Sequence, residues 1–252
     1  PVINCFLNIM AITHHNSQIL RLYYFYCHEH LSDVTPEFTL NVLQQNVRGF
    51  ISPKLINRHI KLQKFNERLL QKQIHIALIQ EWSVGIRSEF TTKDKFYKNK
   101  YGKQIPLHFP IEYFPNYNVH HIGTECAILY HNKLNVTPLT KTNNYQKNVR
   151  IKNFHVCGII VHVSQRKDIG FYSVYKSTKA KPAQLFNYEF ITDDNVIGGD
   201  FNTKHEIWGS SNRSFGAKEF VKTLKTTHYN ILNTIKPQYT YVCPRNNHKS
   251  FI

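Results

Sequence analysis

Asn195 to Gly216 reads NVIGGDFNTKHEIWGSSNRSFG, and the opening of this stretch decides how the rest of the chain is read. The apolar pair Val196-Ile197 runs into two glycines, followed by Asp200, Phe201 and Asn202. Apolar runs that stop at glycine read as buried strands that hand a polar tip to a loop. Paired glycines allow a sharp turn and the close approach of a ligand. An acid and an amide two positions apart share one side of the chain, with Phe201 turned to the core. Two readings fit these residues: a tight turn capped by Asp and Asn, or two groups serving one reaction centre.

Next to this stretch, Ile169 to Tyr175 (IGFYSVY) reads as a strand ending at a tyrosine and followed by Lys176. Such a tyrosine is a packing residue or a hydroxyl able to bond a phosphate. Pro182 to Phe190 predicts a helix, as does the amphipathic AKEFVKTLKT of Ala217 to Thr226, and Tyr239-Thr240-Tyr241 predicts a short strand. Far upstream, Phe38 to Val42 alternates apolar and polar residues and leads to Asn46 and Arg48. Ile56 to Gln71 carries a helical apolar stripe, and the apolar run Ile74 to Ile79 reaches Gln80-Glu81-Trp82. Strand, helix and strand make a βαβ-like opening whose ends carry polar residues suited to a site. Glu81 is a satisfied strand-end carboxylate or, as a hard oxygen donor, a magnesium ligand. Gly85 to Gly123 reads as an irregular basic excursion. Short β-rich runs at Cys126–Tyr130, Leu134–Val136, Val149–Ile151 and Val156–Val163 predict antiparallel sheet. Pro1 to Glu37 shows no clean period and reads as a leader outside a domain spanning residues 38–252.

The length of 252 residues suits one large domain, and 41% hydrophobic with 13% aromatic residues excludes a disordered chain. Lys and Arg number 32 against 16 Asp and Glu, a net charge of +16 spread along the sequence. That favours an extended anionic partner such as nucleic acid; a compositional bias toward lysine is the alternative. Five scattered cysteines without a CxxC pair fit a reduced, intracellular protein. Fifteen histidines, among them Cys27-His28-Glu29-His30 and His120-His121, lack the paired spacing of structural zinc sites. No apolar run is long enough to span a membrane.

The order Asn46, Gln80-Glu81, Ser173-Val174-Tyr175, Gly199-Asp200-Phe201-Asn202 resembles the endonuclease/exonuclease/phosphatase superfamily, which includes apurinic/apyrimidinic endonuclease-like nucleases. The likeness runs from about Phe38 to the end. Asn202 to Ser210 (NTKHEIWGS), with Asn212, Arg213 and Gly216, looks like the "NAKHxxWGS…N…RG" segment of jockey-type non-LTR retrotransposon endonucleases. Thr203 replaces the usual alanine, and Phe215 stands where arginine is common.

This resemblance implies an α/β four-layer sandwich, two mixed sheets flanked by helices, with a site at one rim. It also implies Mg²⁺- or Mn²⁺-dependent hydrolysis of a DNA phosphodiester, in a larger polyprotein with a reverse transcriptase, acting in the nucleus. Glu81 would bind the metal with support from Asn46. Asp200 would orient or deprotonate water, Asn202 would hold water and phosphate, and Tyr175 would meet the developing charge on phosphorus. Arg48, Lys176, His205, Trp208, Asn212 and Arg213 are the expected DNA contacts. The family continues past a Ser-hydrophobic-Ile step with an aspartate and a later Ser-Asp-His, whereas Ser250-Phe251-Ile252 closes this sequence. The resemblance therefore implies that the last strands are missing and that residues 1–252 alone nick DNA negligibly. A non-catalytic nucleic-acid-binding fragment and a phosphatase of small phosphoesters are the alternatives.

Overall fold

The strands that end in Asn46 and Asp200 lie in different β-sheets, and their meeting across the gap organises the molecule. A computed structural model describes residues 8–13, 17–24, 38–47, 49–50, 55–82, 96–98, 104–106, 109–123, 125–140, 154–164, 167–187, 194–208, 213–227, 229–231, 241–242 and 249–250.

One sheet contains β1 (Asn8–Thr13), β9 (Val136–Pro138), β10 (Phe154–Ser164), β11 (Lys167–Lys176), β12 (Asp194–Asp200) and β13 (Asn230–Ile231). Their spatial order is β13-β1-β12-β11-β10-β9. The other contains β2 (Ser17–Tyr24), β3 (Phe38–Asn46), β4 (Ile76–Gln80), β7 (Tyr117–Ile122) and β8 (Cys126–His131), in the order β2-β3-β4-β8-β7. Two short antiparallel pairs complete the described strands: β5 (Phe96–Lys98) with β6 (Gln104–Pro106), and β14 (Tyr241–Val242) with β15 (Lys249–Ser250). Both large sheets are mixed. β1, β12 and β11 run parallel while β10 returns antiparallel, and β3 runs parallel to β4 with β2 and β8 antiparallel beside them.

Strand alternation sorts the apolar side chains into three layers of core. Between the sheets lie Leu40, Val42, Ile76, Leu78 and Ile128 from one side and Cys157, Ile159, Phe171 and Val196 from the other. Leu43, Ala77, Ile79 and Leu129 turn outward and meet Leu62, Phe65 and Leu69 of helix α1 (Leu55–Gln71). On the far side Tyr172, Val174, Ile197 and Phe201 meet Phe220 and Leu224 of helix α2 (Ala217–Thr226). Three cores between helix, sheet, sheet and helix make a four-layer α/β sandwich.

Each helix follows from its spacing. Leu62, Phe65 and Leu69 in α1, and Ala217, Phe220 and Leu224 in α2, recur at three and four residues and are buried. Burial of Phe220 and Leu224 contributes about 1.5–3 kcal/mol each. α1 stops at Gln73, whose φ of +49° lets Gln73 N–H and Ile74 N–H close onto the carbonyls of Leu70 and Leu69.

Several expectations need correction. Residues 8–13 and 17–24, within the stretch read from the sequence as leader, supply β1 inside one sheet and β2 at the edge of the other. The run Ile9-Met10-Ala11-Ile12 has no alternation because β1 lies between two parallel neighbours, where near-continuous apolar strands are the rule. The excursion from Gly85 to Gly123 contains a regular strand, β7, and the helix expected after Pro182 is a 3₁₀ segment, Pro182–Asn187. The run Val149–Ile151 lies outside the described residues. Gly198 and Gly199 are extended residues within β12 rather than a turn. A Cβ on Gly198 would fall 2.6 Å from Leu78 Cδ1 in the opposite sheet, and one on Gly199 would fall 2.2 Å from the Val174 carbonyl oxygen. Close packing of strands and sheets excludes side chains there.

Candidate active site

Four strands deliver the site, and each changes character along its inward face. β3 presents Leu40 and Val42, then Gln44 and Asn46; β4 presents Ile76 and Leu78, then Gln80; β11 presents Phe171, then Ser173 and Tyr175. β12 presents Val196, then Gly198 and Asp200. The polar ends meet across the gap. Asn46 Nδ2 donates to Asp200 Oδ2 at 2.8 Å, and Gln80 Nε2 donates to Ser173 Oγ at 2.9 Å. They form one rim at the carboxyl ends of parallel strands, the place where open α/β sheets bind ligands.

Asp200 is fully buried and its Oδ1 accepts the Asn202 backbone N–H at 2.9 Å. The capped-turn reading of the Asp–Asn pair is therefore met. The acid caps its own turn, and Asn202 (φ +45°) is placed beside it. Asn202 Nδ2 donates to the Lys176 carbonyl at 2.7 Å, tying the end of β11 to the loop after β12. The Tyr175 hydroxyl hydrogen-bonds with Glu81 and Asn202. Burial, and then the charges of Glu81 and Asp200, push its pKa up, so it stays protonated and can donate.

Glu81 has a φ of +52°, in the left-handed region that glutamate rarely adopts. The surroundings hold it there: its N–H donates to the Glu125 carbonyl at 2.7 Å and its carbonyl accepts Gly49 N–H at 2.6 Å. Val47 N–H and Phe50 N–H bond to the carbonyls of Gln80 and Trp82 on either side, and the Lys61 ammonium on α1 grips the carbonyls of Val47 and Gly49. Such over-determined strain, about 1–3 kcal/mol, clusters at functional sites. Thus Asn46, Glu81, Tyr175, Asp200 and Asn202 all come together.

The expected DNA contacts divide. Arg213 is half exposed, its Nε 2.7 Å from both Glu206 carboxylate oxygens. The His205 ring is 13% exposed, and its Nδ1 accepts the Ile207 N–H at 3.1 Å. Burial, opposed by Glu206, lowers its pKa. Lys176 needs correction, because it faces away from the rim and is buried. Its Nζ donates to the carbonyls of Ser177 and Ala180, both at 2.9 Å. Burial pulls its ammonium down to about 8 against the opposing pull of Asp200. On β11 the inward positions are Ser173 and Tyr175, so the next residue falls on the helix-facing side. Trp208 ends a 3₁₀ turn, Glu206–Trp208, while Arg48 and Asn212 lie outside the described residues.

Sequence reading missed the residues beneath and beside the site. Gln44 Nε2 donates to Gln80 Oε1 at 2.6 Å, Gln80 to Ser173 Oγ, and Ser173 Oγ to the Ile79 carbonyl at 2.9 Å. This buried polar bridge couples the sheets under Asn46 and Asp200. Its signal was present: amides at inward positions of otherwise apolar strands. Glu125 and His155 also stand at the rim, their Oε2 and Nδ1 3.4 Å apart.

The donor set fits a hard divalent cation. Glu81 offers a carboxylate, and Asn46, whose amide nitrogen is turned to Asp200, brings an amide carbonyl oxygen, a second hard donor, to the same rim. Magnesium is commonly held by one or two carboxylates, with water and substrate phosphate completing the shell. No group of three or more His, Cys, Asp or Glu that could hold a metal ion occurs among the described residues, and Cys27 to His30 lie outside them. His120 Nε2 is 3.0 Å from the Leu139 carbonyl, and the His121 ring rests against Trp82.

No curated protein matches the chain. Ten chains of solved structures are similar to it, two of which follow. The endonuclease domain of TRAS1, a telomere-specific non-LTR retrotransposon, is 18% identical with a TM-score of 0.46, covering 73% of this chain and 70% of that one. An endonuclease/exonuclease/phosphatase family protein from Leptotrichia buccalis C-1013-b is 17% identical with a TM-score of 0.45, covering 73% and 72%. The family model described as endonuclease-reverse transcriptase matches residues 169–252, the stretch that includes Tyr175, Asp200 and Asn202. The chain is thus similar to the endonuclease-reverse transcriptase family over residues 169–252, in agreement with the superfamily that its sequence resembles.

Proposed function

We propose that the protein is a nuclease that hydrolyses a DNA phosphodiester with Mg²⁺ or Mn²⁺, and that it nicks a target for reverse transcription within a larger polyprotein acting in the nucleus. The observation that carries this reading is the convergence of Glu81, Asn46, Tyr175, Asp200 and Asn202 at one rim, from strands of both sheets. The net charge of +16 suits a DNA backbone. Among the described residues, no helix is long and apolar enough to cross a membrane.

In this reading Glu81 and Asn46 hold the cation, which neutralises charge on the scissile phosphate when bound. Asp200 accepts a proton from the attacking water. Hydrogen bonds from Asn46 and from Asn202 N–H fix the orientation of its carboxylate. Water oxygen bonds to phosphorus, the P–O3′ bond breaks, and the leaving oxygen takes a proton from solvent to give a 3′-hydroxyl suited to priming. Asn202 holds the water and phosphate, and Tyr175 donates to the oxygen on which charge develops.

Incubation with supercoiled plasmid tests the proposal. Contrary to the negligible nicking that the resemblance implies for residues 1–252, open-circular product should accumulate with Mg²⁺ or Mn²⁺ and stop with chelator. No nicking with either metal, alongside turnover of a small phosphomonoester that Glu81→Ala removes, would overturn it in favour of a phosphatase.

A further inference from the structure

The rim holds one acid–imidazole pair to which the proposed chemistry gives no role. His155 opens β10 on its inward face, in register with Cys157, Ile159 and Val161 of the inter-sheet core. Its backbone partner on the neighbouring strand is Tyr175, and the two rings lie 6.1 Å apart. His155 Nδ1 is 3.4 Å from Glu125 Oε2 in the opposite sheet, with the side chains 40% and 33% exposed. Glu125 in turn accepts the Glu81 N–H through its carbonyl. The pair therefore joins the two sheets one strand beyond Tyr175, tied through backbone to one candidate site residue and packed against another. Nε2 of the half-exposed ring has no protein partner among the described residues.

We infer that His155, oriented by Glu125, is a substrate-positioning residue that contacts a phosphate of the DNA strand next to the one being cut. This rests on the proposed function. Against a phosphate, a ring carrying hydrogen on both nitrogens would donate Nδ1–H to Glu125 and Nε2–H to a phosphate oxygen, each bond charge-assisted. Among the described residues Glu81, Asp200 and Glu125 bring carboxylates to this rim, so a hydrogen-bond donor there offsets their repulsion of an anionic substrate.

The test compares wild type, His155→Gln, His155→Lys and Glu125→Gln. The readouts are steady-state nicking of a short labelled duplex and metal-free binding of the same duplex by fluorescence anisotropy. His155→Gln should raise KM and the dissociation constant about tenfold with kcat changed less than about twofold. His155→Lys should recover most of the loss, and Glu125→Gln should raise both constants by less. Unchanged KM and binding in His155→Gln, or a fall in kcat and Tm that lysine does not rescue, would overturn the assignment. Should the glutamine variant not fold, Glu125→Gln with unaltered binding does the same. Wild type that neither binds nor nicks DNA would remove the functional reading and this inference with it. Wild type that nicks while His155→Gln behaves identically removes this inference alone.

Discussion

The two ends of the inter-sheet space are lined by the same strands and differ in almost everything else. At one end Leu40, Val42, Ile76, Val161, Ile169 and Val196 interlock with no polar obligation to meet. At the other, two to four residues further along the parallel strands, Gln44, Asn46, Gln80, Ser173 and Asp200 are equally buried, each bonded across the gap or into the neighbouring strand. The apolar end is the kind of packing that any large sandwich needs. The polar end spends stability on orientation, since unsatisfied groups there cost about 1–3 kcal/mol each. Glu81, in a strained conformation at the boundary with solvent, is where the contrast is sharpest.

The largest expected effect breaks the polar end chemically while leaving it standing. Glu81→Ala should lower the nicking rate on the order of a thousandfold or more, with Tm little changed because alanine keeps the Cβ that strains the backbone at a φ of +52°. A near wild-type rate in Mg²⁺ would end the metal assignment. Gln80→Ala should reverse the pattern, costing about 2–4 kcal/mol in denaturant unfolding by stranding Gln44 and Ser173 in a dry interior. Unaltered stability would show that water replaces the bridge. Comparable in size, Gly199→Ala drives a Cβ onto the Val174 carbonyl and should destabilise by about 1–3 kcal/mol or abolish folding.

Much of this contrast was legible in the sequence, and the reason is periodicity. Leu62, Phe65 and Leu69 announce α1 by spacing alone, and IGFYSVY and NVIGGD announce β11 and β12. What was not legible depended on long-range partners. Nothing local distinguishes β1 as a strand held between β12 and β13, or β7 as an edge strand next to β8. Gly198 and Gly199 read as a turn because the sequence shows their small size but not Leu78 and Val174 pressing on them. Lys176 read as a surface cation because the sheet face it would take is decided by register, which places it beneath the 3₁₀ segment after β11. The turn cap that Asp200 makes to Asn202 was legible because it depends only on residues two apart in the chain.

Lys176 allows a smaller effect to sharpen the comparison from the helix-facing side of β11. Its ammonium, pulled down to about 8 by burial, is less favoured in the fold than in the unfolded chain, where lysine titrates near about 10.4. This group's contribution to stability is present above the unfolded value and is lost as pH falls through about 8. Melting temperature should therefore rise between pH 8 and pH 10 by more in wild type than in Lys176→Met. Parallel curves for the two proteins would mean that the amine, although enclosed, keeps an ordinary affinity for protons.

The smallest effect on the fold concerns the loop leaving the polar end. Arg213 and Glu206 form a surface pair in which each shifts the other, Glu206 downward and Arg213 upward, mainly through their shared hydrogen bonds. Exposed pairs of this kind contribute little to stability, so Arg213→Ala should leave Tm unchanged within error. Its effect on DNA should be larger if the side chain meets a phosphate. Affinity should then weaken for every sequence alike, and the log–log salt slope should flatten by about 0.9, the value of one phosphate contact. The comparison partner is Lys176, which faces away from the rim and whose replacement should not change that slope. A slope altered by Lys176→Met and untouched by Arg213→Ala would invert the assignment of surfaces, placing the DNA against the helix-facing side of β11 instead of the rim.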